Sequence, residues 1–147
     1  MAMCRSEVTI ERSADDVWAA VRGFGDLWWY PHVERCVLEG DDRTTWKTGS
    51  DLASVERLTV HDDEARTHSY VLVEFVGDAW VTREGGEPYD ARQLIGRHSA
   101  TLSVTPLAVQ RSLVTYDVTV VDDDEMAASI GQGYGAAIAN LKELLES

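Results

Sequence analysis

Residues 126–145, MAASIGQGYGAAIANLKELL, predict one long helix at the end of the chain. Apolar side chains recur there at steps of three and four residues, which places them on one helix face. These residues are Ile130, Tyr134, Ala137, Ile138, Leu141, Leu144 and Leu145. Gly131, Gly133 and Gly135 weaken such a helix by about 0.5–1 kcal/mol each relative to alanine. Either the backbone of a sheet or a bound ligand is therefore expected to approach this helix closely.

Seven segments before this helix alternate apolar and polar residues with the period of two that is typical of β-strands. They cover residues 4–11, 33–39, 43–48, 52–60, 65–75, 98–105 and 110–121. Two short helices are predicted after the first strand. One begins after Ser13 and ends near Arg22, and the other covers residues 24–30 and ends at Pro31.

Residues 77–96 show neither period and contain Gly85, Gly86 and Pro88, so an irregular connection is predicted there. Asp122, Asp123 and Asp124 place negative charge where the last helix should begin. The fold class predicted is α+β, with residues 1–147 forming one domain. A curved seven-stranded antiparallel sheet wraps around the long final helix, and its concave side leaves a pocket for an apolar small molecule.

The net charge of −13 argues against binding to nucleic acid or to an anionic membrane surface. Only two cysteines are present, Cys4 and Cys36, and no signal peptide is evident, so free thiols and a cytoplasmic location are expected. The four histidines lack the spacing of metal ligands, and no glycine-rich phosphate loop follows a strand. Neither a metal nor a cofactor is therefore expected.

Two polar residues interrupt apolar strand faces that should point inward. Glu56 shares its face with Ser54, Leu58 and Val60, and in an apolar pocket it would serve as a general acid or base. The alternative is that Glu56 pairs with an arginine and only fixes the sheet. His98 shares its face with Ala100, Leu102 and Val104, and it either transfers protons or is a satisfied core histidine.

Three stretches of the chain resemble the helix-grip superfamily of the birch-pollen-allergen, START and polyketide-cyclase type. They are ERSADDVWAAVRGFGDLWWYPHVERCVLEG at 11–40, GSDLASVERLTVHDDEARTHSY at 49–70 and GAAIANLKELLE at 135–146. The valine and tryptophan after the first strand and the Asp-Asp-Glu hairpin are most similar to the polyketide cyclase/dehydrase branch. Plant abscisic acid receptors are also similar, but Pro31 replaces their ligand-anchoring lysine, so hormone sensing is not expected.

The resemblance implies a deep apolar cavity between the sheet and the last helix. Alternation leaves the direction of Tyr70 open, and the resemblance places it inside, so that Glu56, Tyr70 and His98 converge from successive strands as candidate catalytic residues. Gln132, Ala136 and Asn140 match cavity-facing helix positions of the receptors, although an exposed Gln132 is an equal alternative. The other residues expected to line the cavity are Trp28, Trp29, His32, Trp46, Ser54, Leu58, His68, Leu72, Trp80, Ala100 and Leu102.

The function predicted is a cofactor-independent cyclase or dehydratase that acts on a polyketide-like or other apolar aromatic molecule. Flat indole walls suit such a ligand because aromatic rings stack. The alternative is a non-catalytic carrier or sensor of apolar ligands, working as a monomer or homodimer. A co-chaperone is disfavoured because the outer strand faces, for example Ser99, Thr101 and Ser103, are polar.

Overall fold

A seven-stranded antiparallel sheet and a long C-terminal helix dominate the structure, a computed structural model that describes residues 2–82, 87–120 and 124–147. The strands are β1 (Ala2–Ile10), β2 (Val33–Glu39), β3 (Asp42–Lys47), β4 (Ala53–Asp62), β5 (Thr67–Val76), β6 (Trp80–Thr82), β7 (Pro88–Asp90), β8 (Ser99–Ala108) and β9 (Arg111–Val120). The helices are α1 (Ala14–Val21), α2 (Asp124–Glu146) and a 3₁₀ helix at Ala91–Leu94. No helix among these residues is long and apolar enough to cross a membrane.

The large sheet runs in the order β1-β9-β8-β5-β4-β3-β2, and each neighbouring pair is antiparallel. The α+β class, the seven-stranded sheet and the long final helix are therefore confirmed. Helix α2 packs chiefly against β1 and β9 at one edge of the sheet. Because the sheet curves, the strands farther from that edge face α2 across open space.

The buried face of α2 follows the predicted spacing. Tyr134, Ala137, Ile138 and Leu141 are all buried. The helix begins at Asp124, while Asp122 and Asp123 lie outside the described residues. The predicted face therefore holds α2 in the concave side of the sheet.

The helix glycines serve two purposes. A Cβ atom added at Gly131 would lie 3.2 Å from Cys4 Sγ on β1, so this glycine permits close helix–sheet contact. A Cβ atom at Gly133 would meet nothing within 4 Å, because Gly133 borders the cavity described below. The close approach of the sheet thus explains Gly131, through a side chain of β1, whereas contact of Gly133 with a ligand stays a prediction.

Helix α1 has the predicted start. The Ser13 side chain accepts a hydrogen bond from the Asp16 backbone N–H at 3.1 Å and caps the helix. The second short helix predicted over residues 24–30 is wrong. That segment is a series of turns, closed by bonds from Asp26 N to Gly23 O and from Tyr30 N to Leu27 O, each 3.0 Å. The turns let Phe24, Leu27 and Trp29 point inward at spacings that a single helix face does not provide.

Residues 77–96 are more regular than predicted. Strands β6 and β7 form a separate two-stranded sheet, and the 3₁₀ helix follows directly. Gly85 and Gly86 lie outside the described residues. Strand β8 also continues past Pro106, where it outruns its pairing with β5 at Ser103. The missing N–H of proline is tolerated there because that side of the strand has no β5 partner.

Gly133→Ala should raise the free energy of unfolding by about 0.5–1 kcal/mol, since alanine favours the helix and its methyl group meets open space. Gly131→Ala is the matched control, and it should gain less or lose stability because its methyl group meets Cys4. Urea unfolding measures both values. Equal gains at the two positions would contradict the close contact between α2 and β1.

His68 on β5 is 2% exposed, and neither ring nitrogen has a hydrogen-bond partner among the described residues. Its ring lies 5.8 Å from that of Trp18 and 5.9 Å from that of Phe24. Burial, assisted by the positive charge of Arg43, lowers the pKa of His68 to about 3. The folded protein therefore keeps this imidazole neutral, whereas unfolding returns it to water.

Stability should consequently fall as the pH drops below the ordinary histidine pKa of 6.5, because the unfolded chain gains a proton that the folded chain excludes. Between pH 7.5 and 5 this contribution is roughly 2 kcal/mol. His68→Leu should remove it from the pH dependence of the unfolding free energy measured in urea. Leu72→Ala, a buried control without a titratable group, should lower stability equally at both pH values. An unchanged pH dependence in His68→Leu would refute the assignment.

Candidate ligand cavity

A cavity of about 590 Å³ lies between the concave face of the sheet and α2. Its wall is largely apolar, with Leu27, Leu52, Phe75, Val81 and Leu94 among the contributors. Exposed residues on its border, including His32, Lys47 and Ser50, mark the side that opens to solvent, here called the mouth. The size and lining suit a drug-sized apolar molecule.

Five buried polar side chains meet on this largely apolar wall, and they are called the inner polar cluster: Arg43, Glu56, Tyr70, His98 and Tyr134. They come from β3, β4, β5, the residue before β8, and α2. All five are buried. The cluster is thus assembled from distant parts of the sequence by the curvature of the sheet around the helix.

Arg43 and Glu56 form an ion pair inside the cluster. Arg43 Nε donates to Glu56 Oε1 at 2.9 Å, and Nη1 donates to the Phe24 carbonyl oxygen at 3.0 Å. The guanidinium carbon lies 4.1 Å from the ring centre of Phe24 and 4.4 Å from that of Tyr70. Burial opposes the charge, but the Glu56 carboxylate and neighbouring tyrosines raise the pKa of Arg43 well above its usual value. The arginine stays charged beside two aromatic rings.

Tyr134 links the two remaining members of the cluster. The Tyr70 hydroxyl donates to the Tyr134 hydroxyl at 2.8 Å, and His98 Nε2 lies 3.0 Å from the same oxygen. Burial raises the pKa of both tyrosines well above the ordinary value. Burial also lowers the pKa of His98, against an opposing effect of Glu56. Both phenols and the imidazole are therefore neutral near pH 7, and each can take part in hydrogen bonds with a neighbour.

A second pair of tyrosines, Tyr30 and Tyr116, packs against the cluster. The Tyr30 and Tyr116 hydroxyls are hydrogen-bonded to each other. The Tyr116 ring packs 4.5 Å from that of Tyr134 and 6.3 Å from that of Trp29. Burial raises the pKa of Tyr30 and, more strongly, that of Tyr116. These contacts fix the position of Tyr134 on the sheet side.

The structure brings six of the predicted site residues to the cavity wall: His32, Ser54, Glu56, Tyr70, His98 and Ala136. His32 adopts a left-handed backbone conformation with φ of 63°, which is uncommon outside glycine. Glu56 lies inside and is also paired with an arginine, so the two alternatives for this residue coexist. Their part in binding or catalysis remains a proposal, taken up below.

Four predicted wall residues lie in the solid core instead of at the cavity: His68, Leu72, Ala100 and Leu102. A fifth, Leu58, is half-buried and packs against that core. Their inward orientation follows from strand alternation, but α1 covers that end of the sheet. Trp18 and Phe24 fill the space against His68 there. Alternation predicts which face a side chain is on and gives no information about what covers that face.

The four tryptophans expected at the wall do not line the cavity. Trp29 is buried behind it against Tyr30 and Tyr116. The Trp28 indole donates to the Ala20 carbonyl oxygen at 3.0 Å and is half exposed. Trp46 lies on the outer face under the Arg35 guanidinium, 4.4 Å away. Trp80 is 55% exposed, and its neighbour Val81 faces the cavity.

Two of the helix positions carried over from the resemblance also lie elsewhere. Gln132 is exposed and outside the lining. The Asn140 side chain donates to the Trp29 carbonyl oxygen at 2.7 Å and so holds the turn segment against α2. Small shifts in helix rotation suffice to move a matched position away from a cavity.

Sequence reasoning missed Arg43 and Tyr134. Arg43 lies directly opposite Glu56 in the β3–β4 register, so pairing the two strands from their turn would have placed a cation beside the inward carboxylate. The helical spacing identifies Tyr134 only as part of the apolar face. It does not indicate that the Tyr134 hydroxyl group joins Tyr70 and His98. No group of three or more metal-ligating side chains occurs in the part of the chain that the structure describes.

Solved structures with the same fold cover the whole chain. XoxI from Bacillus cereus is 22% identical with a TM-score of 0.77, and the match covers 100% of this chain and 99% of that one. The di-domain ARO/CYC protein BexL from the BE-7585A biosynthetic pathway is 18% identical with a TM-score of 0.69, covering 99% of this chain and 47% of BexL. A START superfamily protein from Mycobacterium smegmatis is 14% identical with a TM-score of 0.65, covering 97% and 98%.

At these identities the likeness establishes the fold alone, and the predicted resemblance to the helix-grip superfamily is confirmed. A comparison with curated protein sequences gives no significant match. The model of one family, described as polyketide cyclase/dehydrase and lipid transport, matches residues 1–146. The chain therefore belongs to the polyketide cyclase/dehydrase and lipid transport family.

Proposed function

We propose that the protein is a cofactor-independent cyclase or dehydratase acting on a polyketide-like or other apolar aromatic molecule held in the cavity. The observation that carries the proposal is the inner polar cluster, in which proton donors and a carboxylate meet on an apolar wall. Enzymes place few polar groups in such pockets and use them to move protons. The family description and the biosynthetic role in the name of BexL point the same way.

Dehydration of a β-hydroxy ketone shows how the cluster works. Glu56 accepts a proton from the carbon next to the carbonyl group, and the Tyr134 hydroxyl donates a hydrogen bond to the oxygen of the resulting enolate. The enolate electrons then form the carbon–carbon double bond and expel the β-hydroxyl group. That group takes the proton from Glu56 and leaves as water, so Glu56 returns to its starting state.

The other members of the cluster position these two groups. Tyr70 donates to the Tyr134 oxygen, and His98 shares a hydrogen bond with it, so the Tyr134 proton is directed by both neighbours. In a cyclisation the same enolate attacks a second carbonyl carbon instead of expelling a hydroxyl group. Arg43 holds the Glu56 carboxylate in place and balances its charge.

Tyr134→Phe and His98→Ala should each slow dehydration of a phenyl-substituted β-hydroxy ketone by about 100-fold, the lower range for a positioned proton-transfer group. The rise in ultraviolet absorbance of the conjugated enone measures the rate. Gln132→Ala, which changes an exposed residue outside the cavity, is the control and should match the native rate. Absence of turnover by the native protein, or full activity in both variants, would refute the proposed chemistry.

A carrier of apolar ligands is the second candidate. Two observations favour it: Glu56 is already paired with Arg43, and the family description includes lipid transport. A carrier requires the cavity but no proton transfer. In that case Tyr134→Phe changes ligand affinity and the native protein shows no turnover.

Both candidates require that the ligand occupies the cavity beside α2, which Gly133→Leu tests. The new side chain enters open space on the cavity border, so the protein should fold and lose at least tenfold in affinity for naphthol by calorimetry. Gly133→Ala is the smaller control at the same position and should retain binding. Unchanged naphthol affinity in Gly133→Leu would show that the ligand binds elsewhere.

A further inference from the structure

The charges of the cavity balance one another. Among the described residues that line it, the side chains charged at neutral pH are Arg43, Glu56 and Lys47. Arg43 and Glu56 neutralise each other in the buried interior, whereas Lys47 is exposed at the mouth. The interior therefore carries no net charge that would attract a positively or negatively charged ligand.

Glu56 keeps an unused hydrogen-bond acceptor in this interior, and His98 Nδ1 is also without a partner among the described residues. Glu56 Oε1 accepts from Arg43, and Oε2 accepts from none of the described residues. The Glu56 side chain is 11% exposed and that of Arg43 is 2% exposed. Since the guanidinium is the more deeply buried of the two groups and packs against the rings of Phe24 and Tyr70, a ligand reaches the carboxylate more readily than the arginine.

A charged ligand group placed beside this pair would bring an unbalanced charge into a buried site. A carboxylate would leave a net negative charge and an ammonium a net positive one, and either would lose its hydration without a partner charge to compensate. A neutral hydroxyl group avoids that cost and donates to Glu56 Oε2. Tyr134 can donate to an acceptor on the same ligand.

We infer that the cavity selects ligands whose inner end is uncharged and carries a hydroxyl donor, and that Arg43 and Glu56 together determine this selectivity. Phenols and β-hydroxy ketones belong to this class, while carboxylates and amines are rejected. The inference rests on the proposed function only in placing the ligand in this cavity. Lys47 does not reverse the preference, because its side chain is exposed at the mouth and water screens its charge.

Calorimetric titration with four naphthalene probes tests the inference: naphthol, its methyl ether, naphthoate and naphthylmethylammonium. The native protein should bind naphthol at least tenfold more tightly than each of the other three. Glu56→Gln leaves Arg43 unbalanced, so naphthoate should gain at least tenfold. Arg43→Met leaves Glu56 unbalanced, and naphthylmethylammonium should gain instead. Opposite responses to two changes at one ion pair are not produced by general loosening of the cavity.

Glu39→Gln removes the same charge from an exposed position at the end of β2 and should leave the ranking of the probes unchanged. Each single variant at the ion pair leaves one buried charge in the protein without its partner. The double variant Arg43→Met with Glu56→Leu avoids this, and it should bind naphthol and its methyl ether equally. Retained preference for naphthol in the double variant would overturn the inference.

Native binding of naphthoate as tight as that of naphthol would also overturn it, as would an unchanged ranking in both single variants. These outcomes are separate from those of the proposed function. Failure to dehydrate the hydroxy ketone contradicts the enzyme but leaves the probe ranking intact. Loss of the affinity ranking of the four probes contradicts the proposed selectivity and does not change the result of the turnover measurement.

Discussion

The one-sided seating of α2 on the sheet is the constraint from which the cavity follows. The helix contacts the sheet chiefly along β1 and β9, where Gly131 allows Cys4 to approach within van der Waals distance. A helix held at one edge of a curved sheet reaches the central strand β5 through a long side chain, as Tyr134 does with Tyr70, and leaves space over the strands beyond it. The space that remains, bordered by Gly133, is the ligand cavity. Close packing at one edge thus produces an opening at the other.

Most polar atoms of the inner polar cluster find partners within it, while Glu56 Oε2 and His98 Nδ1 have none among the described residues. Arg43 and Glu56 cancel their charges, and aromatic rings cover the guanidinium. Tyr70, Tyr134 and His98 share hydrogen bonds, which offsets the cost of burying their polar atoms. A cluster held together in this way is rigid before a ligand arrives. Preorganised dipoles of this kind are what stabilises an enolate oxygen without rearrangement.

The fold was predictable because it depends on periodicity, which the sequence carries locally. The strands alternate, and the apolar face of α2 repeats at three and four residues, so the element order followed directly. The prediction of a second helix was wrong because the chain around Gly23 and Gly25 and on to residue 30 forms turns. The side chains that point inward from these turns follow no single period. Short segments that are shaped by tertiary contacts lack a local signal.

The candidate site was predictable only in part. Alternation placed Glu56 and His98 on the inner face, but it could not show that α1 closes one end of the sheet over His68 and Leu102. Arg43 was missed because its importance lies in the partner across the strand pair. The tryptophans are expected at the wall as large aromatic residues, whereas Tyr70 and Tyr134 supply the aromatic hydroxyl groups of the site. Contacts between segments that are distant in the sequence determine which residues line the site and which partners they meet.

A crystal structure of the protein with naphthol tests most directly whether the inner polar cluster acts on a ligand. The account predicts naphthol inside the cavity, with its oxygen at about 2.6–3.0 Å from Glu56 Oε2, the usual distance for such a hydrogen bond. Naphthol turned with its oxygen toward Lys47 at the mouth, or a cavity closed by its own side chains with naphthol bound elsewhere, would contradict it.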